Sequence, residues 1–181
     1  MSSKKIMNSH EFKIILKRLI NEIIENHNDF SNTVLIGIQP RGTLLLNKIT
    51  NLLKSEFQVK NIASGVLDIT FFRDDFRRRE HPLQANATSI NVLLEGKNVL
   101  LIDDVLYTGR SVRAALTALD HYGRPKKIEL LTLIDRRFRR ELPIQPTYKG
   151  KQIDTFENEK VIVKWDENDE FIAVLLESTE N

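Results

Sequence analysis

Apolar and polar positions fall along the chain in blocks whose periods predict its elements. Asn8 and Glu11 are spaced as a capping box, and Phe12, Ile15, Leu16, Leu19, Ile20 and Ile23 then recur at helical spacing, predicting a packing helix. Thr33 to Ile38 is an unbroken β-branched and apolar run, the pattern of a buried strand. Gln39-Pro40-Arg41-Gly42 follows it, and Leu45, Leu46, Ile49, Leu52 and Leu53 mark a second helix. Val66 to Phe72 sets Leu67, Ile69 and Phe71 against Asp68 and Thr70, which predicts a strand running into Arg73-Asp74-Asp75. From Asp74 to Ala87 the periodicity stops and a long loop is expected, with a short strand at Asn91 to Leu94 before the turn Glu95-Gly96-Lys97. Val99 to Ile102 is a second buried run that ends in two carboxylates, Asp103 and Asp104; after Thr108-Gly109-Arg110-Ser111, a helix face follows through Val112, Ala115, Leu116 and Leu119. Gly123 and Pro125 stop that helix. Ile128 to Ile134 reads as a strand ending in Asp135-Arg136, Pro143 and Pro146 force an extended loop, and Val161 to Trp165 with Phe171 to Leu176 flank a polar turn as a hairpin.

Strand, loop and helix recur in that order, which points to an α/β fold with a parallel sheet. In such sheets ligands gather at the carboxyl ends of the strands, where Asp103 and Asp104 fall. A chain of 181 residues without repeats or linkers is expected to form one domain, residues 1–181. The 41% hydrophobic and 29% charged residues are ordinary for a globular protein, and no apolar run is long enough to cross a bilayer. Met1-Ser2-Ser3-Lys4-Lys5 leads into a charged amphipathic pattern rather than a signal core, so a cytoplasmic protein is expected. The absence of cysteine removes disulfides and thiolate metal sites. His10 and His27 have no partner at metal-ligand spacing and read as surface polar residues. A net charge of +2 argues little, but Arg77-Arg78-Arg79 and Arg136, Arg137, Arg139 and Arg140 concentrate positive charge in two segments suited to phosphate-bearing partners.

Ionised aspartates accept hydroxyl donors, so the Asp103–Asp104 pair suits a vicinal diol. Thr108 to Ser111 offers hydroxyls, a flexible glycine and the free N–H groups of a helix start, which suit a phosphate. A diol beside a phosphate describes a ribose 5-phosphate. Arg41 and Gly42, at the start of another helix, suit a second anion. The nucleotide-binding Gly-x-x-x-x-Gly-Lys-Ser/Thr loop is absent, since no lysine follows Gly109. A receiver-domain acidic pair would open its domain, whereas two strand units precede this one.

The segment V-L-L-I-D-D-V-L-Y-T-G-R-S-V-R-A-A resembles the phosphoribosyl diphosphate (PRPP) signature of type I phosphoribosyltransferases. Together with G-I-Q-P-R-G, L-D-I-T-F-F-R-D-D, L-I-D-R and R-E-L-P-I, it is similar to the pyrimidine operon attenuation proteins that have uracil phosphoribosyltransferase activity. The resemblance implies the type I phosphoribosyltransferase fold, a central and mostly parallel sheet flanked by helices, with a small β-rich hood from the hairpin at about residues 156–177. It implies that Asp103 and Asp104 hold the ribose hydroxyls and serve catalysis, that Val105 and Tyr107 belong to the PRPP stretch, and that Thr108, Gly109, Arg110 and Ser111 cradle the 5-phosphate. Arg41 and Gly42 would bind diphosphate, Arg73, Asp74 and Asp75 would begin a lid at about 74–87, and magnesium would arrive with PRPP. The base, expected to be uracil, would lie near Asp135, Arg136, Arg137, Phe138, Arg139 and Arg140, which also form the candidate surface for messenger RNA leader. UMP and UTP would be effectors, and the assembly would be a homodimer or larger.

The chain departs from that family after Leu133-Ile134-Asp135-Arg136. The usual Gly-His-Arg-Glu-Leu-Pro is replaced by Arg137-Phe138-Arg139-Arg140-Glu141-Leu142-Pro143, one residue longer and without glycine. Bulky residues tolerate positive φ poorly, so a changed loop backbone is expected. A purine phosphoribosyltransferase and a regulator with little catalysis are the alternative readings.

Overall fold

The computed structural model describes residues 2–74, 87–156 and 158–178. The elements in order are β1 (Ser2–Asn8), α1 (Ser9–His27), β2 (Thr33–Ile38), α2 (Arg41–Ser55), β3 (Ala63–Leu67), β4 (Asn98–Leu106), α3 (Arg110–Leu119), β5 (Lys127–Arg137), β6 (Tyr148–Asp154), β7 (Glu159–Trp165) and β8 (Phe171–Ser178). Five strands form a parallel sheet ordered β3-β2-β4-β5-β6, and β1-β8-β7 form a separate antiparallel sheet. β2 is buried at every position, as is most of β4, because helices cover both faces. One core joins α1, α2 and the sheet to Val161, Val163, Phe171 and Val174 of the smaller sheet; the other packs α3 on the opposite face. Phe12 of α1 stacks on Phe171 at 4.0 Å and meets Trp165 edge-on at 5.9 Å, which fastens the small sheet to the main one.

The capping box forms as expected: Asn8 Oδ1 accepts from Glu11 N–H at 2.9 Å, and Glu11 Oε2 accepts from Asn8 N–H at 2.8 Å. Several sequence expectations are corrected. The strand expected at Val66 to Phe72 ends at Leu67, because Asp68 Oδ1 takes the Thr70 amide and hydroxyl at 2.9 and 2.6 Å and turns the chain into a 3₁₀ helix over Thr70–Phe72. Asn91 to Leu94 is not a strand; the pairing lies just before it, as a single bridge between Ser89 and Val66. Two strands were not anticipated, β1 and β6. Arg18 Nη2 of α1 donates to the carbonyl oxygens of Lys149 and Gly150 at 3.0 and 2.7 Å, tying the helix to β6.

His27 is not a surface residue; it is buried at the amino end of the sheet. Its Nδ1 lies 2.9 Å from Thr33 Oγ1 and its Nε2 lies 3.1 Å from Glu129 Oε2, with Tyr148 Oη at 3.3 Å. A neutral imidazole fits, donating from Nε2 to Glu129 and accepting at Nδ1 from Thr33. Burial lowers its pKa from the ordinary 6.5, outweighing the attraction of Glu129, while Lys127 lowers it further. In the same cluster, burial and Glu129 push the Tyr148 hydroxyl up to about 12. Below pH 6.5 the unfolded chain takes up a proton at His27 that the folded chain refuses, so this site loses stability as pH falls. Thermal melts between pH 7.5 and 5.5 should show the wild type losing melting temperature on acidification and His27→Gln losing distinctly less. Parallel slopes would rule the site out as the cause.

Candidate active site

The carboxyl ends of β2, β4 and β5 bring together most of the residues singled out in the sequence. β4 aligns with β5 so that Asp103 sits beside Thr132, Val105 beside Ile134 and Leu106 beside Asp135. Thr132, fully buried, uses its Oγ1 to accept the Leu106 amide at 3.1 Å and to reach the Ile134 carbonyl at 2.9 Å, which fixes the end of β4. Asp104 is buried, and its Oδ2 has no hydrogen-bond partner among the described residues. Arg41 Nη1 lies 3.9 Å from the same oxygen. Asp103 Oδ1 accepts the Asp104 amide at 2.9 Å. Burial raises Asp103 well above the ordinary carboxyl value and the neighbouring Asp104 adds to it, with Arg41 and Arg73 opposing. Burial raises Asp104 as well, with Arg41 as the main opposing influence.

Arg41 reaches Asp104 because α2 starts hard against β4. A Cβ on Gly42 would enter the Ile102 carbonyl oxygen and crowd Asp103 Cα at 3.2 Å, so only glycine permits this approach. Gln39 Oε1 and Thr43 Oγ1, at the end of β2 and in the first turn of α2, are likewise buried without a partner among the described residues. Unpaired buried polar atoms are rare in proteins, and three at one strand-end crevice mark a place for a polar ligand or water. Gln39 belongs to the G-I-Q-P-R-G segment, but nothing in its residue type set it or Thr43 apart.

On the other side of Asp104, α3 follows Gly109, whose φ of 93° is left-handed and which, as the N-cap residue, has no side chain to bond the helix amides. Thr108 and Ser111 flank that helix start, where Thr108 Oγ1 accepts the Arg110 amide at 3.3 Å and no other side chain among the described residues caps the first turn. The Arg110 side chain is committed elsewhere, to Asp74 and to Glu141 at 2.5 Å. The place of Asp75 and of most of the expected lid lies outside the described residues.

Beyond the strand ends, a cavity of about 700 Å³ is bounded by Asp135, Arg137, Phe138, Arg140, Ile144 and Gln152. The arginines along it are largely bound within the fold rather than free for phosphate. Arg136 is buried, lies 3.8 Å over the Tyr107 ring and donates to Thr155 Oγ1 and the Glu159 carbonyl at 3.0 and 2.8 Å. Arg137 grips Asp154 with two bonds of 2.5 and 2.6 Å, and Arg140 pairs with Asp135 at 2.5 Å. Despite the missing glycine, the loop does take a left-handed residue: Phe138 has φ 68° and stands 76% exposed. Phe156, 77% exposed, faces the same smaller cavity as Phe138 and Arg139.

A parallel sheet whose central strand delivers two adjacent carboxylates, one buried and one half-buried, beside the start of a helix is the architecture of a phosphoribosyltransferase. A family model described as phosphoribosyl transferase domain matches residues 2–168. The chain is 41% identical over 169 residues to the bifunctional protein PyrR of Enterococcus faecalis, covering 93% of each, and 45% identical over 159 residues to that of Gloeothece citriformis, covering 88% of each. A hypoxanthine phosphoribosyltransferase of Trypanosoma cruzi shares the fold with a TM-score of 0.73 at 16% identity, covering 98% of this chain and 97% of that one. The chain belongs to the phosphoribosyl transferase domain family and, within it, to the bifunctional PyrR proteins. No helix among the described residues is long and apolar enough to cross a membrane.

Proposed function

We propose that the protein transfers the phosphoribosyl group of PRPP to uracil, giving UMP and diphosphate, and that it also reads pyrimidine-operon leader RNA in response to uridine nucleotides. The observation that carries the transferase reading is the Asp104 Oδ2, unpartnered among the described residues, on the same strand-loop-helix unit as the amino end of α3. In this reading Asp103 and Asp104 accept the ribose hydroxyls, while Thr108, Ser111 and the backbone amides around Gly109 take the 5-phosphate. Arg41 faces the diphosphate, and the small sheet of β1, β7 and β8 serves as the hood.

The donor C1–O bond breaks with its electron pair leaving on diphosphate, and uracil nitrogen forms the new bond at C1 from the opposite face. Asp103 and Asp104 offset the positive charge that develops on the ribose, and Arg41 offsets the negative charge on the departing diphosphate. Their raised pKa suits either carboxyl to take the proton that uracil nitrogen gives up. The crevice fits a cation that comes with the substrate, since the buried Asp104 Oδ2, unpartnered among the described residues, could face it. Magnesium carried in by PRPP would supply neutralisation of the leaving-group charge, with Asp104 as the residue placed to hold it.

The regulatory half of the reading is supported by Phe138 and Phe156, two exposed rings beside Arg139 that offer stacking faces to unpaired bases. A nucleobase panel in a PRPP-dependent diphosphate-release assay tests the first half: uracil should exceed hypoxanthine and guanine by more than about a hundredfold, the most that an apolar pocket alone achieves, because a site that hydrogen-bonds one base leaves its polar groups unpaired with another. Turnover with hypoxanthine or guanine but not uracil would move the protein to purine salvage. Leader RNA should bind the wild type more tightly than scrambled RNA at equal salt, and Phe138→Ala should narrow that gap.

A further inference from the structure

The loop that bounds the cavity of about 700 Å³ at Asp135 to Arg140, taken as the cavity for the acceptor base, is docked on the loop read above as the phosphate cradle, through contacts from three segments of the chain. Arg140 donates to the Tyr107 carbonyl oxygen, and the Glu141 amide donates to the Thr108 carbonyl oxygen at 3.0 Å. The Glu141 carboxylate receives Arg110 Nε at 2.6 Å and Nη2 at 2.5 Å. The same guanidinium turns Nη1 to Asp74 Oδ2, which also holds Arg113 Nη2 at 2.7 Å. Leu142 and Ile144 cover Gly109 so closely that a Cβ there would stand 3.2 Å from Ile144 Cδ1 and 3.4 Å from Leu142 Cβ. Arg140 and Ile144 in turn bound the acceptor cavity.

Ion pairs as exposed as Arg110–Glu141, whose side chains are 52% and 48% accessible, add little to stability. What the forked guanidinium supplies is direction, since its planar donors fix Glu141 and Asp74 at set angles to the start of α3. An anion drawn onto the amides at that helix start would move or stiffen Thr108 and Gly109. The platform on which Glu141 to Ile144 rests is thereby altered.

We infer that Arg110 and Glu141 are positioning residues that transmit occupancy of the phosphate cradle to the acceptor cavity, so that the base is held best once the phosphoribosyl donor is in place. Arg110 acts here through Glu141 and Asp74 and not as a ligand of the phosphate. The inference rests on the reading of residues 108–111 as the cradle, and the experiment separates the two.

Hydrogen exchange is measured on the wild type, Arg110→Gln and Glu141→Gln, with and without saturating ribose 5-phosphate, alongside its Kd by calorimetry. Bound ribose 5-phosphate should slow exchange of the wild-type amides in 138–146 by about fivefold or more, the lower end of ordinary coupling between sites. Both variants should lose that protection while their Kd stays within about threefold of the wild type and their KM for uracil rises severalfold. Protection that survives in both variants overturns the inference. So does a Kd weakened about tenfold in Arg110→Gln alone, which would make the guanidinium a phosphate ligand. A wild type that fails to bind ribose 5-phosphate overturns the cradle itself.

Discussion

Replacing either aspartate of the central strand by asparagine should abolish nearly all turnover and leave the protein more stable at neutral pH. Asp104→Asn is expected to lower kcat at least about a hundredfold, the usual scale for losing one charged group that stabilises a transition state. The stability gain follows from burial. Both carboxyls are raised above their ordinary 3.8 because the fold has taken them out of water, and at Asp103 the second carboxyl adds repulsion. Between pH 3.8 and the raised folded value the native state holds protons that the unfolded chain has released, so stability falls as pH rises through that window. Asparagine has no charge to desolvate and removes this slope. Asp103→Asn should gain the more, since repulsion from Asp104 adds to burial at Asp103, whereas at Asp104 the first influence after burial is Arg41, which opposes the rise. A gain of about 1 kcal/mol would lift the melting temperature by roughly 2–4 °C in a chain of this size. Melts at pH 7.5 and pH 4 check the sign: the gain should be present at the first and largely gone at the second. A variant that keeps turnover within threefold, or melts lower at pH 7.5, would contradict the assignment.

Gly42→Ala should cost both fold and activity. Its new methyl group meets the Ile102 carbonyl oxygen and Asp103 Cα, which are backbone atoms of the central strand paired to its neighbours and cannot rotate away as a side chain would. Overpacking of this kind costs about 1–3 kcal/mol, and backbone obstruction places it at or above the upper end. The relief open to the molecule is to push the start of α2 outward, carrying Arg41 away from Asp104 and Thr43 out of the crevice. Gly150→Ala is the control, because its Cβ would strike the Leu133 carbonyl oxygen between β5 and β6. Both variants should melt well below the wild type by calorimetry, but at a temperature where each is folded only Gly42→Ala should have lost kcat. Equal turnover in the two would show that the approach of α2 to β4 serves packing alone.

Where the chain was legible, local pattern and tertiary role coincided. The runs Thr33 to Ile38 and Val99 to Ile102 became the two central strands because only a strand covered on both faces needs unbroken apolar residues. The Asp103-Asp104 pair and the Thr108 to Ser111 turn fell at the end of such a run and the start of a helix, so their place at the crevice followed from order along the chain. Edge strands were hidden by the same logic. β1 (Ser-Ser-Lys-Lys-Ile-Met-Asn) and β6 (Tyr-Lys-Gly-Lys-Gln-Ile-Asp) carry polar residues on their open sides, and their pairing is decided by neighbours distant in sequence. His27 was misread for a related reason. Its burial depends on Thr33, Glu129 and Tyr148, which no spacing connects to it.

By itself, then, the order of apolar runs and the chemistry of single side chains determined the α/β class, the central strand and the residue types suited to a diol and a phosphate. Both are local properties, written in hydrophobic period and in what carboxylates, hydroxyls and helix amides can bind. The tertiary structure alone decided which of the arginines are free: it spent Arg110 on Asp74 and Glu141, Arg137 on Asp154 and Arg140 on Asp135. It also decided that Asp104 keeps one buried oxygen without a partner among the described residues. Charge pairing and desolvation depend on distance in space, and residues 36 or 31 positions apart, as Asp74 and Glu141 are from Arg110, are brought into contact only when the sheet has formed.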